Sequence, residues 1–248
     1  MSNTLALSAL GMINEQQRLD VIAHNLANAS TVGFKRDIVV NGRFDDQLAL
    51  EANNTLVGSE FVGSALGVPA VDTVADRSSG VMRLTGNALD IAIEGDGFFE
   101  FIGPSGALYG RSGSLTVDAD GRLVSTTGMP VSGVGGEILL TSSTPRIDAD
   151  GQVFEDDELV GQLKLVRFLD PNAVQKAGSG LYTGGTPIAT ETDSHARFRQ
   201  GFLEASNVPV MEEMVRLMTT TRLFEMQQRV AKAFDGMLEG AIDSIADF

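Results

Sequence analysis

Val210, Leu217, Phe224, Ala231, Leu238 and Ile245 stand seven residues apart, with Leu223, Val230 and Met237 flanking the column. A seven-residue apolar spacing held this long marks a helix with a narrow seam that must be buried against other helices. The N-terminus carries the only comparable pattern. There Leu5, Ala9, Met12, Leu19, Ala23 and Leu26 form one stripe, interrupted by the polar Gln16. Glycine-punctuated, β-prone sequence fills the space between. The middle therefore offers the ends no helical partner, and the two ends are expected to pair with each other, with other subunits, or with both.

Ser2, Asn3 and Thr4 offer side-chain caps for a first helix over residues 3–28, ended by Asn28, Ser30, Thr31 and Gly33. The run 37–40 is extended. Residues 43–80 show weak periodicity and predict an arm holding a strand or two. From Val81 onward strands are expected at 89–93, 98–102, 136–140, 159–168 and 181–183. Asp118-Ala119-Asp120-Gly121 and Asp148-Ala149-Asp150-Gly151 echo each other, and each sets Asp-Gly between β-prone residues, a strong hairpin signal. The last helix is expected from about Val208, with Asn207 as its cap, Pro209 in its first turn, and Glu212 and Glu213 at its positive end. Gly236 and Gly240 loosen its far end by about 1 kcal/mol each relative to alanine. The fold class is α+β: N- and C-terminal helices in a coiled-coil-like bundle, and a mostly antiparallel all-β centre. The expected domains are 1–35 (helix and signature turn), 36–80 (extended arm), 81–200 (β domain) and 201–248 (closing helix).

Composition narrows the function classes. The chain has 248 residues, 33 acidic against 18 basic, and a formal net charge of −15. Scattered Lys and Arg argue against a nucleic-acid partner, which needs a concentrated basic surface. No stretch approaches the roughly 18 to 20 apolar residues of a membrane span, so no membrane insertion is expected. No basic cluster precedes a short apolar run, so no cleaved signal peptide is expected either. Cysteine is absent.

The candidate chemistry is thin. The Asp118/Asp120 and Asp148/Asp150 repeats put glycine at position 4 where a helix-loop-helix calcium loop needs it at 6, so both are read as turns. Glu94 and Asp96 flank Gly95 and could act as an acid/base pair of a glycan hydrolase, but no nucleophile or histidine accompanies them, and a polar turn is the expectation. His24 and His195 have no ligand-spaced neighbour. No cofactor, metal site or catalytic residue is assigned, and an enzyme is not expected.

The stretch Asn25-Leu26-Ala27-Asn28-Ala29-Ser30-Thr31-Val32-Gly33-Phe34-Lys35 resembles the signature of bacterial flagellar rod and hook proteins. Residues 89–99 resemble the family's central motif. Gln200 to Val208, with Glu213-Met214-Val215, resemble its closing motif. His24 departs from the asparagine common before the signature. The resemblance implies a structural subunit that polymerises with copies of itself and with other flagellar rod proteins into a tube spanning the periplasm. It also implies export through the flagellar type III export apparatus without cleavage. On this reading the assembly interface comprises Leu5, Met12, Leu19, Leu26, Asn25, Asn28, Gly33, Phe34, Leu217, Phe224, Val230, Leu238 and Ile245. A soluble β-domain that binds protein through its ends without polymerising is the remaining alternative.

Overall fold

The computed structural model describes residues 2–41, 71–104, 106–142, 144–168, 174–189 and 196–246. Most of the expected arm (43–70) and His195 lie outside them. The chain forms two compact units. One comprises 1–27, 36–76 and 208–248; the other comprises 28–35 and 77–207.

The first unit holds helix α1 (Ser2–Ala27), strands β1 (Asp37–Asn41) and β2 (Val71–Ala75), and helix α2 (Val210–Ala246). The two helices pack along each other. Gly11 of α1 sits opposite the Gln227 side chain of α2, while Asn25 and Glu213 line one shared pocket. The pairing is therefore antiparallel. At 37 residues against 26, α2 is the longer helix by about 16 Å at 1.5 Å per residue, and this register carries its extra turns past the start of α1. The first backbone bond of α2 runs from Glu213 N–H to Pro209 C=O at 3.0 Å. Pro209 is thus the half-in residue, and Asn207, the expected cap, lies two positions too early.

The second unit is all β. Its strands are β3 (Met82–Leu84), β4 (Ile91–Glu94), β5 (Phe98–Gly103), β6 (Gly106–Gly110), β7 (Leu115–Val117), β8 (Leu123–Ser125), β9 (Ser132–Gly133) and β10 (Gly136–Glu137). They continue as β11 (Arg146–Ile147), β12 (Gln152–Glu155), β13 (Glu158–Gln162), β14 (Leu165–Phe168), β15 (Val174–Gly178), β16 (Leu181–Gly184), β17 (Pro187–Ala189), β18 (Arg197–Gln200) and β19 (Phe202–Glu204). The largest sheet runs β15-β16-β6-β5-β14-β17, with antiparallel pairing throughout. Alternation on β5 sends Phe99 and Phe101 into the core beside Ile91, Ile93, Leu123, Val131 and Val153. Phe98 points the other way and packs edge-on against Phe168 and Tyr182, each with ring centres 5.5 Å away.

Two strand expectations change. The run 159–168 is two strands in different sheets, because Leu163 N–H turns to Gly151 C=O and Lys164 N–H to Ser132 C=O. The run 136–140 pairs with β9 only through Glu137, then crosses to the 121–123 segment by way of Leu123 N–H to Ile138 C=O and Leu140 N–H to Gly121 C=O.

The twin Asp-Gly segments are turns of one design. In each, the first aspartate's Oδ1 accepts two backbone N–H groups: Asp120 at 2.9 Å and Arg122 at 2.8 Å in the first, Asp150 at 3.0 Å and Gln152 at 2.9 Å in the second. The glycines sit at φ +80° and +79°, where a side chain is strained. These bonds hold the Asp118 carboxyl below its usual range, the Arg122 N–H being the largest cause.

Candidate functional site

The most constrained constellation lies in the β unit and is built on one carboxylate. Glu204, at the end of β19, is 1% exposed. Its Oε1 accepts from Lys35 Nζ at 2.6 Å and from Gly80 N–H at 2.8 Å; its Oε2 accepts from Arg111 at 3.2 Å. Lys35 also donates to Ser78 C=O at 2.8 Å, and Arg111 to the carbonyls of Ile93 at 3.3 Å and Gly95 at 2.7 Å. Buried charges persist only when paired and hydrogen-bonded in this way.

The signature turn is tied to the same place. Gly33 N–H donates to Glu204 C=O at 2.8 Å. Gly33 has φ +67°, and a Cβ there would lie 2.5 Å from the Arg111 carbonyl carbon, so both backbone angle and space demand glycine. Phe34 is 4% exposed, with Lys176 Nζ 5.1 Å above its ring and its carbonyl accepting from Asn207 N–H. The Asn207 amide donates to Ser78. Sequence reasoning singled out Gly33 and Phe34 but missed Lys35, Arg111 and Glu204. The signals for Lys35 and Glu204 were their places in the signature and in the closing motif; for Arg111 the sequence carries none.

In the helical unit, Asn25 is 1% exposed and brackets Asp37, donating to its C=O and accepting from its N–H, both at 2.8 Å. A side-chain amide here completes the ladder of β1 as a backbone would, and so fixes α1 to the strand. His24 Nδ1 lies 3.3 Å from the Asp37 carboxylate. Asn28 closes the turn after α1, its carbonyl accepting from Thr31 N–H.

The buried line of α1 is Glu15, Ile22 and Asn25, with Arg18 half-buried between them and Gly11 half-buried one turn before Glu15. The stripe of Met12, Leu19 and Leu26 is only half-buried, and Ala23 is exposed. On α2, Leu217 and Phe224 are half-buried alongside the buried Glu213 and Thr220, while Val230 is 48% exposed. The side chains of Leu5, Leu238 and Ile245 lie outside the described ones. A second apolar face was singled out by the heptad spacing only at Met237, which flanks the column: Met211, Val215, Met218, Met226 and Met237 are 52–75% exposed.

Glu94 pairs with Arg199 at 2.8 Å across β4 and β18, with both side chains about half exposed, and Asp96 lies in the bend between β4 and β5. The arrangement is a polar turn between apolar strands.

Three protein-family models match the chain. "Flagella basal body rod protein" covers residues 6–35, "Flagellar hook protein FlgE/F/G D1 domain" covers 92–155, and "Flagellar basal body rod FlgEFG protein C-terminal" covers 199–244. The buried triad takes one member from each: Lys35, Arg111 and Glu204. The chain is 33% identical to the flagellar basal-body rod protein FlgF of Mesorhizobium japonicum over 230 residues, 91% of this chain and 90% of the relative. It is 34% identical to FlgF of Caulobacter vibrioides, covering 96% and 95% of the two chains. It is also 33% identical to the rod protein FlgG of Buchnera aphidicola subsp. Acyrthosiphon pisum, covering 96% and 98%.

Proposed function

This chain belongs to the flagellar basal-body rod protein family and is a structural subunit of the rod; we propose that it polymerises through its two terminal helices into the drive shaft that carries torque from motor to hook. The observation behind this reading is the apolar face of α2, exposed in a single subunit and set at helical spacing. Monomeric proteins seldom leave so continuous an apolar surface to water without a partner for it. The seam residues Leu5, Met12, Leu19, Leu26, Leu217, Phe224, Val230, Leu238 and Ile245 are proposed to share that interface. Asn25, Asn28, Gly33 and Phe34 are proposed to hold the shape that presents it.

The proposed partners are copies of this chain, other rod proteins, and the flagellar type III export apparatus, which would pass the chain without cleaving it. The proposed site is the periplasmic span of the basal body, with no insertion into a membrane; none of the described helices is long and apolar enough to cross one. The terminal helices and the β unit are proposed as separate functional domains, the 36–80 arm joining them. Between the two named rod proteins, we favour a FlgF-like role. Phe224 and Gln227-Gln228 stand where FlgG-like chains carry a tyrosine and an Asn-Ser pair. We read the Glu94/Asp96 turn as structural and the protein as a non-enzyme.

Deleting the gene and imaging purified basal bodies tests the proposal. The expected result is a rod that stops short and carries no hook. A full-length rod in the deletion strain would refute it.

A further inference from the structure

The chain has no cysteine, so the soft sulfur it offers to an oxidant is that of methionine. Its nine methionines are not spread evenly. Five of them, Met211, Met214, Met218, Met226 and Met237, lie on α2, which makes up 37 of the 248 residues. Their exposures are 75%, 40%, 61%, 52% and 70% in that order. Of the others, Met12, Met82 and Met129 are half-buried, and Met129 packs against the core of the β unit.

Met211, Met214 and Met218 stand at steps of three and four, and Met226 and Met237 are eleven residues, about three turns, apart, so each set keeps to one side of α2. Val215 and Val230, 61% and 48% exposed, extend the same apolar surface. A thioether suits such a surface because it is apolar and adapts its shape. One added oxygen reverses that character. Hydrogen peroxide gives one oxygen to the sulfur lone pair: the O–O bond breaks, the sulfur loses two electrons, and the second oxygen leaves as water. The sulfoxide keeps the length of the side chain but gains a strong hydrogen-bond acceptor that an apolar contact cannot satisfy. The five side chains already meet water in the single subunit, so the change takes little from the fold and falls on whatever the face must contact.

We propose that the α2 methionines are a site of oxidation by peroxides that controls entry into the rod: as thioethers they let α2 pack against a neighbouring copy of this chain, and as sulfoxides they exclude the subunit. The inference rests on the rod reading above. Oxidation acts on the free subunit, because a neighbour that covers the face also covers the sulfurs. It is reversible. A thiol reductant returns two electrons to the sulfur, the oxygen leaves as water, and the reductant is left as a disulfide.

Two measurements test the site. In the first, the purified full chain is treated with hydrogen peroxide and mapped by peptide mass spectrometry. Met211, Met218, Met226 and Met237 are expected to gain oxygen before Met82 and Met129, with no change in the unfolding midpoint. An equal or reversed order, or a lower midpoint when only α2 is oxidised, would overturn the proposal. In the second, cells make the wild-type chain beside a competitor with all five α2 methionines replaced by leucine, and receive hydrogen peroxide while rods are being built. The ratio of wild type to competitor in purified basal bodies, normalised to the ratio in whole cells, is expected to fall several-fold with peroxide. Met211→Leu/Met218→Leu serves as competitor should the fivefold variant stay out of rods without peroxide. Exclusion of both leucine chains would also count against the proposal, because leucine is apolar and close to methionine in volume. An unchanged ratio overturns the oxidation site while the rod reading stands. If the wild-type chain is absent from purified rods without peroxide, the rod reading itself falls.

Discussion

Glu204 faces two cations from 1% exposure, so the chain is sensitive to the charge of this one side chain. Removing one partner of a buried ion pair leaves an uncompensated charge and costs about 3–5 kcal/mol. Glu204→Gln keeps the shape and one acceptor but loses the charge, and is expected to lower the unfolding free energy, measured by chemical denaturation, by that order. A double variant with Lys35→Met should cost less than the sum of its parts, because both singles break the same network. Strict additivity would show that the pair does not act as a unit. A second carboxylate works at the surface. Glu155 accepts from Thr141 N–H at both oxygens (3.0 and 3.1 Å), from the Thr141 hydroxyl at 2.8 Å and from Ser142 N–H at 2.6 Å. The Thr141 N–H bond, followed by that of Ser142, holds its pKa below the ordinary glutamate value. A carboxylate depressed on folding binds fewer protons than in the unfolded chain. Its contribution is therefore fully present above about pH 4.3, the ordinary glutamate value, and is lost as pH falls through the lower folded value. Wild type and Glu155→Gln should accordingly converge in stability below that window and diverge above it; a constant difference across it would contradict the assignment. The sequence showed the signature around Lys35 but not the triad, because Lys35 and Glu204 are 169 positions apart and Arg111 and Glu204 are 93 apart. Periodicity describes neighbours along one element, and these partners meet only after the chain has closed.

At the level of elements, the two helices and the twin turns were legible because local chemistry specifies them. A seven-residue column gives α2, the stripe with steps of three and four gives α1, and Asp-Gly gives both hairpin turns. What α1 buries was not legible. Its apolar stripe runs through Met12, Leu19 and Leu26, yet the line packed deepest runs through Gly11, Glu15, Ile22 and Asn25. Asn25 belongs there because it completes the edge of β1, and Glu15 because Arg18 pairs with it at 2.8 Å one turn on. Polar groups in a helical seam cost stability and in return fix register. The buried oxygens Glu15 Oε2 and Gln227 Oε1, with no partner among the described residues, mark the same seam. The breaks at 163–164 and 138–140 were equally invisible, since each arises where the chain leaves one sheet for bonds to a distant one. Gly11 provides a direct probe. The nearest atoms a Cβ there would meet belong to the Gln227 amide, at 3.4 Å, an ordinary contact with the end of a flexible side chain. Gly11→Ala should then gain most of the roughly 1 kcal/mol helix-propensity difference and raise the thermal midpoint. A lower midpoint would mean that α1 and α2 approach more closely at Gly11 than this packing allows.

The whole molecule combines a well-packed β unit with a helical unit whose surface is unfinished. Five of the nine methionines lie on α2, at 211, 214, 218, 226 and 237, and all are at least 40% exposed. Methionine adapts to irregular partners, which suits the assembly surface proposed for this face. The acidic excess opposes premature association of free subunits, while each apolar side chain transferred from water adds about 1.5–3 kcal/mol once a neighbour covers it. These two effects separate folding from assembly, and one residue distinguishes them. Met218 is 61% exposed, so Met218→Asp removes little from the isolated chain, and its unfolding free energy should change by no more than about 0.5 kcal/mol. In the rod, the same change would bury an unpaired carboxylate in an apolar interface, a penalty large enough to exclude the subunit. The expected phenotype is a normally folded, normally expressed protein absent from purified basal bodies, in cells that do not swim. If Met218→Asp were incorporated at wild-type levels, the exposed face of α2 would not be an assembly surface, and the rod contacts would have to be sought on the β unit alone.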